Sequence, residues 1–315
     1  MEQLRIGILS TSSIAPRFIA AVREMGAGRI VALSSRTLEK AREKAALWEI
    51  PKAYGSHDQL LNDPEVDLVY ISTVNAQHYP WAKAALLKGK HVLCEKPCTT
   101  SQEQTRELFQ IAKGQGLFLM EAEKMLFLPV MEDVRKCIVN GDLGQIHMVE
   151  MSHSFSAGYN TWLSDPAAGG GTLLSSGIYA VQLLIWLFGG IRDIRGTACK
   201  DENGAEWQYI LTGQMENGIL FSARNSTAVQ LENTAKIYGS RGYIEIPEYW
   251  KSRTATVHIQ GQELRKLHYP CEHELIYEVQ HVVQCLRQGL LTSPVVTPLL
   301  SIQGIEALQK VKESW

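Results

Sequence analysis

The sequence predicts an α/β protein in which a doubly wound parallel sheet precedes an α+β domain with an open, mainly antiparallel sheet. Strand and helix patterns alternate through about the first 120 residues, and residues 191 to about 268 are mostly strand-like. Strands separated by helices of about 10–15 residues are typical of parallel sheets. The early strands are rich in Val, Ile and Leu, as in sheets buried on both faces. We predict domains at 1–121 and 122–315.

The first domain is predicted to alternate strictly between strands and helices. Thr37 and Ser101 are placed to cap helices, and Gly26 and Gly89 to end them. The predicted strands are 4–9, 29–35, 66–73, 90–96 and 117–122, and the predicted helices are 13–26, 37–48, 76–88 and 101–116.

The second domain has a different pattern. Helices are predicted at 128–140, 173–189, 272–288 and 298–314, and an alternating strand at 146–155. Strands from 191 onward are separated by turn signals such as ENG and GSRG. The many apolar residues of 206–259 predict a sheet face that a second copy covers, so we expect a twofold homodimer through the open sheet.

The composition indicates a globular protein with a small-molecule substrate. The net charge is −2, with 45 % hydrophobic and 20 % charged residues. No long basic run is present, so neither nucleic acid nor membrane is expected as a partner. The start MEQLRIGILS has no signal-peptide pattern, and no membrane span is indicated, so we expect a cytoplasmic location. The six cysteines are widely spaced, and we expect neither a disulfide framework nor a metal site.

The first strand–helix turn is a candidate phosphate-binding site. Dinucleotide folds place G-x-G-x-x-G/A here, so that backbone can approach the pyrophosphate. This chain has Ser10-Thr11-Ser12-Ser13-Ile14 and keeps only the third small position, as Ala15. Hydroxyls and the free N–H groups of a helix start can both donate to phosphate. We therefore expect residues 10–14 to bind cofactor; the alternative is an ordinary Ser-rich helix cap.

The end of the second strand favours NADP over NAD. An acid here would hold a ribose 2′-OH, whereas an arginine suits a 2′-phosphate. The chain reads Ser35-Arg36-Thr37, with Lys40 nearby and no acid at this point. NAD remains possible, and the alternative for Arg36 is a solvated residue at a helix start.

The segment HVLCEKPCT, at 91–99, is the most informative in the chain. An apolar strand ends in Glu95-Lys96, and Pro97 stops it. A lysine at the carboxyl end of a strand lies where α/β sheets bind ligands. The alternative is a surface lysine at a strand end.

Together these motifs resemble the Gfo/Idh/MocA oxidoreductase family. The residues that carry the resemblance are SSRT, the run STVNAQHYPWAKAALLKGKHVLCEKP and the run DPAAGGGTLLSSGIYAVQ. The chain is most similar to the branch of dimeric dihydrodiol dehydrogenase and NADP-dependent xylose dehydrogenase. The resemblance implies a Rossmann domain followed by an open-sheet dimerisation domain. It also implies hydride transfer between a nicotinamide cofactor and the hydroxyl or carbonyl of a sugar, polyol or cyclic diol.

The resemblance also implies residue roles. Lys96 matches the lysine near the nicotinamide and the substrate hydroxyl, and Tyr179 matches the acid/base tyrosine. A lysine that lowers the pKa of Tyr179 would let it take a hydroxyl proton near neutral pH. Phe155, Trp162 and Tyr179 are the expected substrate contacts, with a structural role as the alternative for Trp162. Further cofactor contacts are expected at Thr73, Val74, Asn75, His78, Glu95 and Lys96.

The chain departs from the branch at several positions around the same cleft. Ser10 and Ser12 stand where glycines are usual, and Ser175 stands where an Asp is usual. The branch pattern E-A-x-W-T-R is replaced by EAEKML at 121–126, so Leu126 stands in the place of the arginine. A catalytically impaired NADP-binding sensor or scaffold is therefore the alternative function.

Overall fold

The computed structural model describes residues 3–156 and 162–315. The chain divides into two compact units. The first consists of Met1–Glu123 and His273–Ser301, and the second of Lys124–Glu272 and Ile302–Trp315.

The first unit contains a six-stranded parallel sheet with strand order β3-β2-β1-β4-β5-β6. This is the strand order of a doubly wound dinucleotide fold, so the predicted fold class is confirmed. Its strands are β1 (Leu4–Leu9), β2 (Gly28–Ser34), β3 (Lys52–Tyr54), β4 (Leu68–Ile71), β5 (His91–Glu95) and β6 (Leu119–Ala122). Its helices are α1 (Ala15–Met25), α2 (Leu38–Leu47), α3 (His57–Leu61), α4 (His78–Leu87) and α5 (Gln102–Gln115).

The central strands are apolar because the sheet is covered on both faces. All four residues of β4 are buried, and Val92, Leu93 and Cys94 of β5 are at most 1 % exposed. Thr37 and Ser101 cap α2 and α5 by accepting the N–H groups of Lys40 and Gln104, as predicted.

Two short elements of this unit, β3 and α3, are additions to the sequence prediction. They have three and five residues. Ser56 caps α3 by accepting the Gln59 N–H, and Asp63 binds Lys52 and the Tyr54 hydroxyl. Such polar ties hold elements that are too short to bury an apolar face of their own.

The segment His273–Ser301 packs with the first unit, although the sequence analysis assigned it to the second domain. Its helix α8 (Ile276–Arg287) packs against α1, and Glu274 forms an ion pair with Arg17. The Leu119 N–H donates to the Leu291 carbonyl, which ties the segment to β6. The last helix is α9 (Pro298–Glu313).

The second unit is built on an eight-stranded sheet with order β14-β13-β12-β11-β7-β10-β9-β8. Only the pair β7–β10 is parallel, so the prediction of a mainly antiparallel open sheet is confirmed. The strands are β7 (Ile146–Ser154), β8 (Ile191–Lys200), β9 (Glu206–Met215), β10 (Leu220–Ser226), β11 (Thr234–Gly239), β12 (Gly242–Pro247), β13 (Thr254–Ile259) and β14 (Arg265–His268).

Two helices of this unit follow directly from the sequence. Helix α6 (Pro129–Val139) begins with Pro129 in its first turn, where a missing N–H costs nothing. Helix α7 (Ile178–Phe188) is preceded by one π-helical turn, Leu173–Gly177. The segment Pro166–Phe188 is long and apolar enough to cross a membrane, but 78 % of its most apolar window is buried inside the protein, as in the core helix of a soluble protein.

Candidate functional site

The predicted cofactor residues of the first unit gather at one edge of its sheet. Residues 10–14 follow β1, residues 35–37 follow β2, residues 73–75 follow β4, and Glu95 with Lys96 ends β5. Because these strands are parallel, their carboxyl ends share one edge. In the order β3-β2-β1-β4-β5-β6 the crossover direction reverses between β1 and β4, and ligands bind at such a switch point.

Ser10 has a backbone conformation that favours glycine. Its φ is +124°, a value that side chains disfavour. The Ser10 N–H donates to the Ser34 carbonyl, and the Ser12 hydroxyl donates to the Ser72 hydroxyl at 2.8 Å. These bonds fix the turn against β2 and the end of β4.

The turn before α1, rather than the first turn of the helix, can offer N–H groups to an anion. The N-cap of α1 is Ile14, which makes no side-chain capping bond, and Pro16 lies in the first turn. Pro16 has no N–H, and the N–H groups of Ala15 and Arg17 donate to the Ser12 and Ile14 carbonyls, so a phosphate here would be bound by the N–H groups of the turn before the helix. The described residues also include a buried hydroxyl oxygen without a hydrogen-bond partner at this edge, Thr73 Oγ1. The residues present therefore fit a dinucleotide.

The residues predicted to select NADP over NAD lie at the end of β2, and they differ in their exposure to solvent. Ser35 is buried and donates its N–H to the Tyr54 carbonyl, whereas Arg36 and Thr37 are exposed. Ser34 Oγ lies 2.8 Å from His57 Nδ1. Burial lowers the pKa of His57; the nearby Asp58 carboxylate acts against this and the Arg36 guanidinium adds to it. The free guanidinium at this strand end suits a phosphate.

His78 is a structural tie between two strand ends. It is 1 % exposed, with Nδ1 2.8 Å from the Pro97 carbonyl and Nε2 3.1 Å from the Thr73 carbonyl. Burial lowers its pKa, against the two carbonyl contacts. Asn75, also buried, begins the short 3-10 turn after Val74. His78 thus holds the Thr73–Asn75 loop beside the EKP turn.

Lys96 lies half-buried among carboxylates at the end of β5. Burial lowers its pKa, and Glu95, Glu123 and Glu121 oppose that shift. Two of these acids are fixed: Glu95 accepts the Tyr70 hydroxyl at 2.5 Å, and Glu121 accepts the Cys98 N–H at 2.9 Å. The ammonium of Lys96 therefore stands in a negative surrounding.

Tyr179 is the second residue of α7 in the second unit, directly after the π-helical turn. The start of this helix is anchored by Glu206, which accepts the Leu173 N–H at 3.2 Å. A Cβ at Gly171 would lie 2.3 Å from the Glu206 carboxylate, so the glycine run makes room for this anchor. π turns are frequent at functional sites.

Lys124 contacts the predicted acid/base residue, and the sequence analysis missed it. Its Nζ donates to the Tyr179 hydroxyl at 2.7 Å and lies 4.7 Å from the centre of the ring. Both side chains are 7 % exposed. The available signal was a lysine directly before the apolar run MLFLP, a position where an ammonium that becomes buried needs a partner.

The predicted substrate residues are Phe155 and Trp162, which precede and follow residues 157–161 in the sequence. Phe155 belongs to an aromatic group: its ring centre is 5.5 Å from that of His153, which stacks on Trp250 at 3.7 Å. Trp162 begins a short 3-10 turn and is 39 % exposed.

The departures from the family pattern are accommodated structurally. Leu126 is 3 % exposed and belongs to the core, so no charged group could replace it there without a partner. Ser175 is half-buried and donates to the Thr172 carbonyl at 3.4 Å within the π turn. Within residues 3–156 and 162–315, no group of three or more His, Cys, Asp or Glu is arranged to hold a metal ion.

Two family models match the chain. Residues 4–123 match the model described as oxidoreductase family, NAD-binding Rossmann fold, and residues 131–245 match the Gfo/Idh/MocA C-terminal domain. Together they cover most of both units.

The chain is similar over nearly its whole length to characterised mammalian proteins. It is 33 % identical over 324 residues to trans-1,2-dihydrobenzene-1,2-diol dehydrogenase of Mus musculus, covering 99 % of this chain and 96 % of the relative. The Homo sapiens protein of the same name is 32 % identical over 322 residues, with the same coverage.

Solved structures of lower identity share the fold. An aldose-aldose oxidoreductase from Caulobacter crescentus complexed with glycerol is 23 % identical, with a TM-score of 0.90 over 99 % of this chain and 97 % of that one. Levoglucosan dehydrogenase in complex with NADH and levoglucosan is 17 % identical, with a TM-score of 0.89 over 99 % and 96 %. A 3-ketoreductase from Actinomadura kijaniata in complex with NADP is 21 % identical, also at 0.89, over 99 % and 97 %.

Proposed function

The chain belongs to the Gfo/Idh/MocA oxidoreductase family, and we propose that it acts on a cyclic diol, sugar or polyol with NADP as its preferred cofactor. It is an NAD(P)-dependent oxidoreductase that transfers a hydride at a CH–OH group. The observation that carries the proposal is the gathering of residues 10–14, 35–37, 73–75 and Lys96 at the carboxyl edge of the first unit's sheet. The diol and sugar substrates in the names of its relatives support the substrate class.

Each catalytic side chain has one proposed task. The nicotinamide, when bound, supplies the hydride acceptor or donor. In the oxidation direction the Tyr179 phenolate takes the hydroxyl proton of the substrate as the carbinol hydride leaves, and later releases that proton to water. The Lys96 ammonium donates a hydrogen bond to the same substrate oxygen. Lys96 and Tyr179 act together on one hydroxyl in this proposal.

The cofactor contacts follow from the edge of the sheet. N–H groups and hydroxyls of residues 10–14 bind the pyrophosphate, and Ser35, Arg36 and Thr37 bind the 2′-phosphate of the adenine ribose. Thr73, Val74 and Asn75 line the nicotinamide half, while His78 holds their loop in place. Phe155 and Trp162 contact the substrate.

We also propose a homodimer through the outer face of the second unit's sheet. One row across that face carries His258, Tyr243, Tyr238, Met148 and Leu220, paired strand to strand. Tyr243 stacks on His258 at 4.2 Å, and Met148 and Leu220 are 41 % and 49 % exposed. The neighbouring row alternates acids and bases, with Lys236 3.5 Å from Glu245, as suits self-pairing about a twofold axis.

Sedimentation at micromolar concentration tests this interface. Leu220→Glu should convert the dimer into a 35 kDa species, whereas Leu47→Glu, at a leucine 67 % exposed in the first unit, should leave the dimer intact. A monomeric wild-type protein would contradict the proposal. A cytoplasmic location is part of the same proposal, and fractionation of cells tests it.

A substrate panel separates this function from that of a sensor or scaffold. Aldoses, polyols and trans-dihydrodiols are each supplied with NADP, and NADPH formation is followed by absorbance. We expect turnover of at least one class. NADP binding without turnover of any class would favour the catalytically impaired alternative.

A further inference from the structure

The phenol of Tyr179 and the ammonium of Lys124 form a buried pair in the second unit. The Nζ–OH distance is 2.7 Å, and both side chains are 7 % exposed. Lys124 opens the 3-10 turn Lys124–Phe127, whose next two residues, Met125 and Leu126, are buried and apolar. A buried ammonium is costly unless something repays its lost hydration. The cost of burying the Lys124 ammonium indicates that the charge has a function at the phenol to which it donates.

The charged groups of the elements packed against this turn have other partners. These elements are α6, α7 and the 3-10 turn Tyr249–Lys251. Lys251 lies 2.9 Å from Glu248, and Tyr249 is buried near Tyr209. The remaining titratable groups pair as Glu132 with Arg135, Asp133 with Lys136 and Tyr269, and Cys137 with Arg265.

We propose that Lys124 is a positioning residue for Tyr179: it fixes the direction of the phenol and stabilises the phenolate that accepts the substrate proton. The catalytic consequence rests on the proposed function, but the pairing itself does not. A cation within about 4–6 Å favours the ionised form of its neighbour. The phenol oxygen accepts from Lys124 and still has its own O–H to exchange with a substrate hydroxyl.

This assignment divides the work between two lysines. The sequence analysis gave Lys96 the task of promoting ionisation of Tyr179. Lys96 instead has the carboxylates of Glu95, Glu121 and Glu123 around it, and these offset the field that it exerts on other groups. Lys124 donates directly to the phenol. Lys96 therefore keeps the role of donor to the substrate oxygen, and Lys124 acts through the tyrosine.

Titration of Tyr179 tests the pairing without any cofactor. The protein is labelled with 3-fluorotyrosine at its eleven tyrosines, and the Tyr179 fluorine signal is identified by its loss in Tyr179→Phe. In Lys124→Met the midpoint should move upward by roughly one to three pH units, the usual effect of one adjacent charge. Lys124→Arg should keep a midpoint near that of the wild type. Lys251→Met, which removes a nearby charge on an adjoining turn, should leave the midpoint unchanged.

The wild-type protein provides a second readout if no Lys124 variant folds. Tyr209 is also buried, at 3 % exposure, and burial raises its pKa well above the usual range. With Lys124 beside it, Tyr179 should titrate at lower pH than Tyr209. The opposite order, or an unchanged midpoint in a folded Lys124→Met protein, would overturn the proposal.

The kinetic arm separates failure of this inference from failure of the proposed function. With a substrate from the panel, Lys124→Met should shift the kcat profile toward alkaline pH by the same amount as the fluorine midpoint, and Lys124→Arg should restore it. If the wild type turns over substrate but the pH profile of kcat is unshifted in Lys124→Met, only the proposed role of Lys124 is refuted. No turnover by the wild type, together with a shifted fluorine midpoint, refutes the proposed function and leaves the pairing established.

Discussion

Lys96 belongs to the first compact unit and Lys124 to the second. The electrostatic surroundings of the two lysines are opposite. Lys96 follows a parallel strand and lies among three carboxylates, whereas Lys124 begins an apolar turn and donates to the Tyr179 hydroxyl. The acids around Lys96 favour its ammonium form against the effect of burial, and an ammonium is suited to donate to substrate. A lysine against a phenol changes the protonation of the phenol. In our proposal the partner of each lysine, rather than its motif, determines its task.

Tyr179→Phe should have the largest effect, because both lysines serve the reaction through or beside this phenol. Loss of a general acid/base typically costs at least about 10²-fold in kcat. The affinity for NADP, measured by calorimetry, should change little because the phenol acts on the substrate. Tyr209→Phe, at another buried tyrosine of the second unit, is the matched control. An active Tyr179→Phe enzyme would refute the assignment of Tyr179 as the general acid/base.

Lys96→Met tests whether the two lysines have different roles in the reaction. Loss of a hydrogen bond from a charged donor costs about 1.5–3 kcal/mol, or roughly 10- to 150-fold in kcat/KM. The pH profile of kcat should shift toward alkaline pH by less in Lys96→Met than in Lys124→Met, because the neighbouring acids offset the charge of Lys96. An equal or larger shift in Lys96→Met would return the ionisation of Tyr179 to Lys96.

Arg36→Ala tests the cofactor preference of the first unit. It should weaken NADP binding by about 1–3 kcal/mol, the contribution of a hydrogen bond to a charged group, and leave NAD nearly unchanged. Titration of both cofactors measures this, with Arg42→Ala, at an exposed arginine of α2, as the control. Wild-type binding of NAD as tight as that of NADP would refute the preference.

Ser10→Gly should have the smallest effect and the opposite sign. Ser10 has φ +124°, and a strained backbone of this kind costs of order 1 kcal/mol. Glycine should therefore raise the free energy of unfolding by about 1 kcal/mol, measured by urea denaturation. Ser13→Gly, in the same turn at an exposed position, should give no increase. A destabilised Ser10→Gly protein would show that the serine contributes contacts that exceed the strain.

Much of the fold could be predicted from local patterns. The apolar runs that became β4 and β5 and the caps Thr37 and Ser101 each carry their own signal. Elements β3 and α3 could not be found, because elements of three and five residues are held by polar ties such as Asp63 rather than by a pattern. The packing of α8 against α1 depends on contacts between distant parts of the chain.

The candidate site was predictable where one motif supplies it and not where two distant segments meet. The EKP turn places Lys96 through its own strand. The bond between Lys124 and Tyr179 joins residues 55 positions apart, and the sequence showed only a lysine before an apolar run, at a position where the family pattern has an aromatic residue. A departure from a family pattern can thus be a replacement by a group of different chemistry rather than a loss.

The most direct test of the central claim is the transfer of deuterium from a substrate to the cofactor. A panel substrate labelled at its carbinol carbon is incubated with NADP, and the nicotinamide ring is examined by NMR. We predict that the label appears on the ring with the wild-type protein and at a rate at least about 10²-fold lower with Tyr179→Phe, although both bind NADP. Cofactor binding without label transfer from any member of the panel would contradict the account.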